Sequence, residues 1–419
     1  MDSPIIRRGL SDEQRMMRDS CRQFVDDVVL PFIKTNWRQE WSMTPEDRLP
    51  RAILEGADKI GIRTLGVPEE YGGIELDKAT EIATFALIAE EVARGDSGLA
   101  DKLVQNWKVS VLLRNLAPRH LQAKWFKRLM EDPQFLLAHC LTEPRGASDR
   151  WLPYDVPEAA MQTKAARTTV GGKGGWIING RKQFISNGYD ASLYVVYANS
   201  APGTGMTKGT SSFLVPRDTK GLTVARCNET LGCRFMNNGE LVFEDMFVPD
   251  DHLLVEGTAL AKAGVYFRPG KIIQAAKNLG VGVRALEVTS DYVQSYVQGG
   301  RILIKHQAVA LRIAEMATRL EAVRALLERA SQACDEGAVD ADALCNMVKY
   351  YASEEVMKVA THAAELHGGN GMMLDFGVEK LFRDAAIFPH MDGTVDISKF
   401  KIVKALYPAT AGKYAGREE

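Results

Sequence analysis

The chain has 419 residues, 46% hydrophobic and 25% charged. That is the balance of an ordinary globular protein long enough for two or three domains, and it excludes fibrous, low-complexity and small disulfide-stapled classes. The 52 basic and 54 acidic residues leave a formal charge of -2, so neither a nucleic-acid footprint nor attraction to an anionic membrane is expected.

Taken in chain order, Ser11-Asp12-Glu13-Gln14 is a capping box, and Met17, Cys21, Phe24 and Val28 follow at helical spacing until Pro31, where a helix is expected to stop. Residues 79–94 and 120–130 have one apolar side and one charged side, so the chain reads as all-helical to about residue 138. Short β-rich runs then appear at 176–178, 193–197, 212–215, 222–225 and 241–248, separated by Gly, Asn and Pro. They predict a compact β domain and not alternating βαβ units. From about residue 256 helix returns. There Val309, Ile313, Met316, Leu320, Val323 and Leu327 form the seam of a long bundle helix. The expected domains are 1–138, 139–255 and 256–419, an α+β chain with a β domain between two helical ones.

Six cysteines without a C-x-x-C pair argue against structural zinc and fit reduced thiols. With no signal-like start and no apolar run of about 18 residues, the expectation is a soluble, cytoplasmic protein. Three tempting motifs have plainer explanations. Gly280 to Ala285 looks like a dinucleotide fingerprint but lies in a helical stretch, where small residues serve close packing. His362, Glu365 and His367 do not share one helical face as a metal pair would, so no metal site is expected. Gly171 to Gly175 lacks the Walker spacing and reads as a hairpin turn.

A more specific signal is an ordered set of segments: Gly66 to Gly73 (GVPEEYGG), Leu141 to Asp149 (LTEPRGASD), Lys182 to Gly188 (KQFISNG), Leu231-Gly232 with Phe243 to Pro249, His367 to Gly371 (HGGNG), Val378 to Lys380 with Arg383-Asp384, and Asp392-Gly393-Thr394. In order and separation this set resembles the acyl-CoA dehydrogenase family of flavoproteins. The resemblance implies an amino-terminal helical domain, a central β domain and a carboxy-terminal four-helix bundle, a homotetramer, FAD as cofactor, an acyl-CoA substrate, and an electron-transferring flavoprotein as acceptor. It also implies site residues. Leu141 and Thr142 would meet the isoalloxazine and Ser148 the pyrophosphate. Ser186 stands where the family has a Thr beside flavin N5, and Phe184 replaces a Trp over the ring. Arg301, Gly368, Gly369 and Thr394 would complete the cofactor site, with Lys271 and Gly393 toward substrate.

In this family a carboxylate removes the proton alpha to the thioester carbonyl while hydride leaves the beta carbon, and the commonest base is a Glu immediately before Gly-Thr. Here that position is Asp392. Burial is expected to raise its pKa toward neutrality and suit it to the proton it takes. Asp is shorter than Glu by one methylene, roughly 1.5 Å of reach, so either the substrate should sit differently or activity should be reduced. Relatives with Asp here act on alicyclic acyl-CoA thioesters, or, as the nitroalkane oxidases, on substrates without CoA. A catalytically silent binding protein is the other alternative, and Asp392 as a plain helix cap is the bland one. Some members carry a Glu base on an earlier helix, at a position matching Gly270.

The chain departs from the family's pattern elsewhere. Tyr296 to Arg301 replaces R-x-x-F-G, Lys271 replaces an Arg, Glu365 stands where many members have Gln, and extra residues lie between Asp149 and Thr163. The expected activity is dehydrogenation of an alicyclic or branched acyl-CoA.

Overall fold

The computed structural model describes residues 9–48, 50–146 and 156–407. Helix α1 (Asp12–Phe24) starts at the expected box: Ser11 Oγ accepts the Gln14 N–H at 3.1 Å, and Gln14 Oε1 accepts the Ser11 N–H at 3.1 Å. The chain does not stop at Pro31. A π-turn at Val25–Val29 passes it into α2 (Leu30–Asn36), where Pro31 occupies the first turn. Helices α3 (Arg51–Lys59), α4 (Glu81–Gly95), α5 (Ser97–Leu116) and α6 (Arg119–Glu131) follow. Helix α5 is enclosed on all sides, with every residue from Ser97 to Leu113 buried.

The β layer contains β1 (Leu137–Cys140), β2 (Lys164–Val170), β3 (Lys173–Ile185), β4 (Leu193–Asn199), the one-turn α7 (Met206–Gly209), β5 (Thr210–Pro216), β6 (Leu222–Asn228), β7 (Asn238–Pro249) and β8 (Leu253–Val255). Among the described residues they form one sheet in the order β6-β7-β3-β2-β4-β5-β8, with β1 parallel to β4. The β2–β3 turn falls on Gly171 and Gly172, whose φ values of 57° and 80° are those of a two-residue hairpin turn.

Helices α8 (Ala259–Lys262) and α9 (Gly264–Ser295), the hairpin of β9 (Val297–Gln298) and β10 (Arg301–Ile302), then α10 (Gln307–Asp335), α11 (Ala341–Leu366), α12 (Val378–Ile387) and α13 (Val395–Leu406) complete the chain. Helices α9, α10 and α11 pack on one another as the carboxy-terminal bundle, and α13 lies along α11. On α10 the seam is buried at Met316, Leu320, Val323 and Leu327, and half-buried at Val309 and Ile313. Gly280 lets α9 approach α4, because a Cβ there would lie 2.3 Å from the Glu90 carbonyl oxygen. One apolar core therefore runs from α1, α4 and α5 into α9, α10 and α11, while the sheet has its own core around Trp176, Tyr194 and Phe213.

Candidate active site

Three helices and one loop meet at Asp392. The loop leaves α12 through a short turn at Phe388–His390 and ends where the Thr394 hydroxyl accepts the Ile397 N–H at 3.3 Å, starting α13. Thr394, not Asp392, is thus the helix cap. Asp392 and Gly393 both lie at positive φ, 50° and 91°, a conformation Asp tolerates better than most side chains. Lys349 of α11 pins the loop by donating to the carbonyls of Gly393 and, at 3.5 Å, Pro389. From α5, Lys108 Nζ donates to both carboxylate oxygens of Asp392, at 3.1 and 3.4 Å. The carboxylate lies deep in the protein, yet 29% of its side-chain surface stays accessible. It is partly open, neither sealed in the core nor in bulk water.

The expected upward pKa shift is reversed. Burial does push Asp392 up, but Lys108, Lys277 and Lys271 outweigh it and hold the carboxyl at about 2. These cations come from α5 and α9, far from Asp392 in sequence. Burial opposes the charge of Lys108, but Asp392 and Tyr266 more than restore it and its pKa is raised. Burial brings Lys277, which also contacts Asp101, down to about 8 against the pull of Asp392. Burial and the neighbouring Lys271 bring Lys349 down to about 7.

Tyr266 of α9 closes one wall. Its hydroxyl accepts from Gln105 Nε2 at 3.2 Å, and its ring stacks on His139 of β1 with centroids 4.0 Å apart. Lys108 Nζ lies 5.1 Å from the Tyr266 ring, close enough for a cation–π contact. Gly270 faces the Lys108 stem, a Cβ there meeting Lys108 Cδ at 3.3 Å, so the alternative seat for a base carries no carboxylate. Beyond it Gln274 donates to Asn278 at 2.8 Å and Asn278 to Ser353 at 3.1 Å.

The sequence reading missed Asp101, Gln105, Lys108, Gln274, Lys277 and Lys349. A usable signal was present: Asp101, Gln105 and Lys108 recur at steps of four and three, one face of a helix otherwise rich in Leu and Val.

A second surface lies at the end of β1. Glu143 is buried and accepts from the Gln162 N–H at 2.7 Å, the Thr163 N–H at 2.8 Å and Lys182 Nζ at 2.9 Å. Lys182 also donates to the Leu141 carbonyl at 3.1 Å, and the Gln183 N–H to the Thr142 carbonyl at 2.9 Å. These bonds lock Leu141 to Glu143 onto the bulge between Lys182 and Ile185. On that bulge Phe184 sits at φ 59° with 59% of its surface exposed. A bulky residue at positive φ costs on the order of 1–3 kcal/mol, and an uncovered ring returns nothing for it. A flat aromatic group laid over Phe184, with half-buried Thr142 and Ser186 at its edge, fits this surface. His139, two residues before Leu141, links it to the Lys108–Asp392 pair through Tyr266.

Lys271, Gly393 and Thr394 lie with Asp392, whereas Arg301 is exposed on the β9–β10 hairpin. Gly368 and Gly369 form an open turn after α11, where an added Cβ would meet no atom within 4 Å. Ser148 lies outside the described residues, as do most of the extra residues before Thr163. Glu365 pairs with Arg312 at 2.5 Å, and His367 bonds the Ala363 carbonyl at 2.7 Å.

Comparison with known proteins gives three successive family matches: acyl-CoA dehydrogenase, N-terminal domain, over residues 11–132; middle domain over 138–246; C-terminal domain over 256–407. Cyclohex-1-ene-1-carbonyl-CoA dehydrogenase of Geobacter metallireducens is 31% identical over 95% of this chain and 99% of its own. Butyryl-CoA dehydrogenase from Megasphaera elsdenii has a TM-score of 0.85 at 26% identity, covering 96% of this chain and 100% of that one. A structure described as the FAD complex of PigA has a TM-score of 0.84 at 27% identity, covering 96% and 99%.

Proposed function

We propose, for a chain that belongs to the acyl-CoA dehydrogenase family of FAD-dependent oxidoreductases, that it dehydrogenates an acyl-CoA with Asp392 as the base for the alpha proton. The observation that carries this reading is the Asp392 carboxylate, ionised and partly accessible beside Lys108 of α5 and the lysines of α9. FAD, when bound, supplies the hydride acceptor for the beta carbon. Leu141, Thr142, Phe184 and Ser186 are the residues whose geometry suits the ring, and Ser148, Arg301, Gly368, Gly369 and Thr394 would complete its site.

Lys108 keeps Asp392 deprotonated and fixes its position. A carboxylate held at about 2 is nonetheless a weak base for a carbon acid. Part of the cationic support must therefore be drawn away as substrate seats, and Lys271 and Gly393 are the positions for that contact. The acyl skeleton is alicyclic or branched, a reading supported by the name of the Geobacter relative. An electron-transferring flavoprotein is the proposed acceptor. The described residues contain no helix long and apolar enough to cross a membrane, and a cytoplasmic homotetramer is the proposed form. Its proposed domains are residues 1–138, 139–255 and 256–419.

Anaerobic titration with linear, branched and alicyclic acyl-CoA thioesters tests the reading. Bleaching of the flavin absorbance by at least one series is expected. Unchanged absorbance with every thioester would overturn it.

A further inference from the structure

We infer that His139 is a positioning residue for the proposed base: stacked on Tyr266, it fixes the plane of the ring beside which the Lys108 ammonium lies, and so holds Lys108 on Asp392. The role of Asp392 as base rests on the acyl-CoA dehydrogenase reading above; the stack does not.

Strand β1 is buried along its length, and His139 lies on it among Leu137, Ala138 and Cys140. Side chains alternate along a strand, so Ala138 and Cys140 enter the core of the sheet, while Leu137 and Leu141 pack with Tyr266 on the other side. His139 takes that second side and meets three rings there. It lies flat on Tyr266, with centroids 4.0 Å apart and planes 14° apart, and edge-on to Tyr197 and Phe267 at 4.8 and 5.7 Å. An imidazole in such a place is costly unless its nitrogens find partners, and Nε2 shares a hydrogen bond of 3.0 Å with the Tyr197 hydroxyl.

The stack restrains what hydrogen bonds to Tyr266 do not. Gln105 holds the Tyr266 hydroxyl through its amide nitrogen at 3.2 Å and its amide oxygen at 3.3 Å. The hydroxyl lies on the axis about which a tyrosine ring turns, so these bonds fix the tip and leave the plane free. A flat neighbour fixes the plane. The imidazole serves because Nε2 lies off its own rotation axis, and the bond to Tyr197 therefore sets its orientation. A phenylalanine would stack but would have no such anchor. The plane matters to Lys108, whose Nζ lies 5.1 Å from the Tyr266 centroid, because a cation is attracted by the face of a ring and not by its edge. Lys108 in turn reaches Asp392 at 3.1 Å. The path thus runs from β1 through α9 to α5 and the loop before α13.

The test reads the Asp392 carboxyl directly. In FAD-loaded protein its neutral form is followed between about pH 3 and 5 by the infrared carbonyl band that Asp392→Asn removes, with flavin content and thermal midpoint recorded beside it. His139→Leu should let Tyr266 turn and loosen Lys108, raising the population of neutral carboxyl about tenfold at a given pH, since a cation–π contact is comparable with one pKa unit. Tyr197→Phe, which removes the anchor and keeps both rings, should raise it about threefold. The other cations acting on Asp392, Lys271 and Lys277 of α9 and Lys349 of α11, are common to every variant. In a Lys108→Met background neither substitution should change the titration, because no ammonium is left to hold, whereas a general packing defect would add to it. An unshifted titration in either single variant, or equal shifts with and without Lys108, would overturn the inference. Flavin that no acyl-CoA bleaches would instead remove the dehydrogenase reading, and with it the role of base, while leaving the titration result intact.

Discussion

Lys108 sets the basicity of Asp392, the proposed base. With the lysine 3.1 Å away the carboxyl titrates at about 2, so the free enzyme should show no acid limb from this group above about pH 4. Lys108→Met removes the largest downward influence and leaves burial pushing up. The acid limb of flavin reduction at low substrate should then move into the ordinary assay range, and an unchanged profile would refute the pairing. The other lysines make a stability prediction. Lys277 and Lys349 titrate at about 8 and 7 when folded, below the ordinary value of about 10.4 for an unfolded lysine. Between those limits the unfolded chain binds more protons, so their contribution to stability rises with pH, by up to about 1.4 kcal/mol per pH unit for each fully shifted group. Lys349→Met should flatten the rise in thermal midpoint between pH 7 and 9. At this scale Asp392 was legible from its motif, but its pKa was not. Desolvation follows from the motif's expected burial, whereas the opposing charge depends on a lysine 284 residues away.

At the scale of elements, the Glu143–Lys182 pair ties the loop after β1 to the β3 bulge. Lys182→Met would leave a buried carboxylate without its cation, at about 3–5 kcal/mol. A lowered melting temperature together with loss of bound flavin is expected; retention of both would contradict the structural role. Gly280→Ala is expected to lose about 1–3 kcal/mol through overpacking against α4, since the new methyl would lie 2.3 Å from the Glu90 oxygen. Urea denaturation measures it, and an unchanged midpoint would mean that the helices separate easily. Periodicity showed the α10 seam and paired glycines the β2–β3 hairpin, because each is a local pattern. Pro31 misled because the π-turn before it resets the hydrogen-bond count and leaves the proline in the first turn of α2. Helix α5 went unread because an enclosed helix has no solvent-facing stripe to set the period, and its polar residues face the site instead of water.

At the scale of the whole molecule, the core joining α1, α4 and α5 to α9, α10 and α11 implies that the helical regions flanking the sheet unfold together. The three-zone order was readable because β-rich and helical stretches differ in period, but their shared core depends on contacts across more than 150 residues and left no local mark. Exposed Met372, Met373, Leu374 and Phe376 continue into Tyr296 and Val297, with Tyr292 edge-on to Phe376 and stacked on Tyr296. An apolar surface of this kind suits subunit contact. Phe376→Asp should therefore shift the proposed tetramer of 46.3 kDa chains to smaller species in light scattering, and an unaltered mass would place the interface elsewhere.

All of this turns on the Asp392 carboxylate as the group that takes the alpha proton. Asp392→Ala in the FAD-loaded protein, mixed anaerobically with the acyl-CoA that bleaches the native flavin, tests it most directly. Retained flavin, with its reduction slowed at least about a hundredfold, is predicted, the lower end of a general base's contribution; reduction at the native rate would contradict the account.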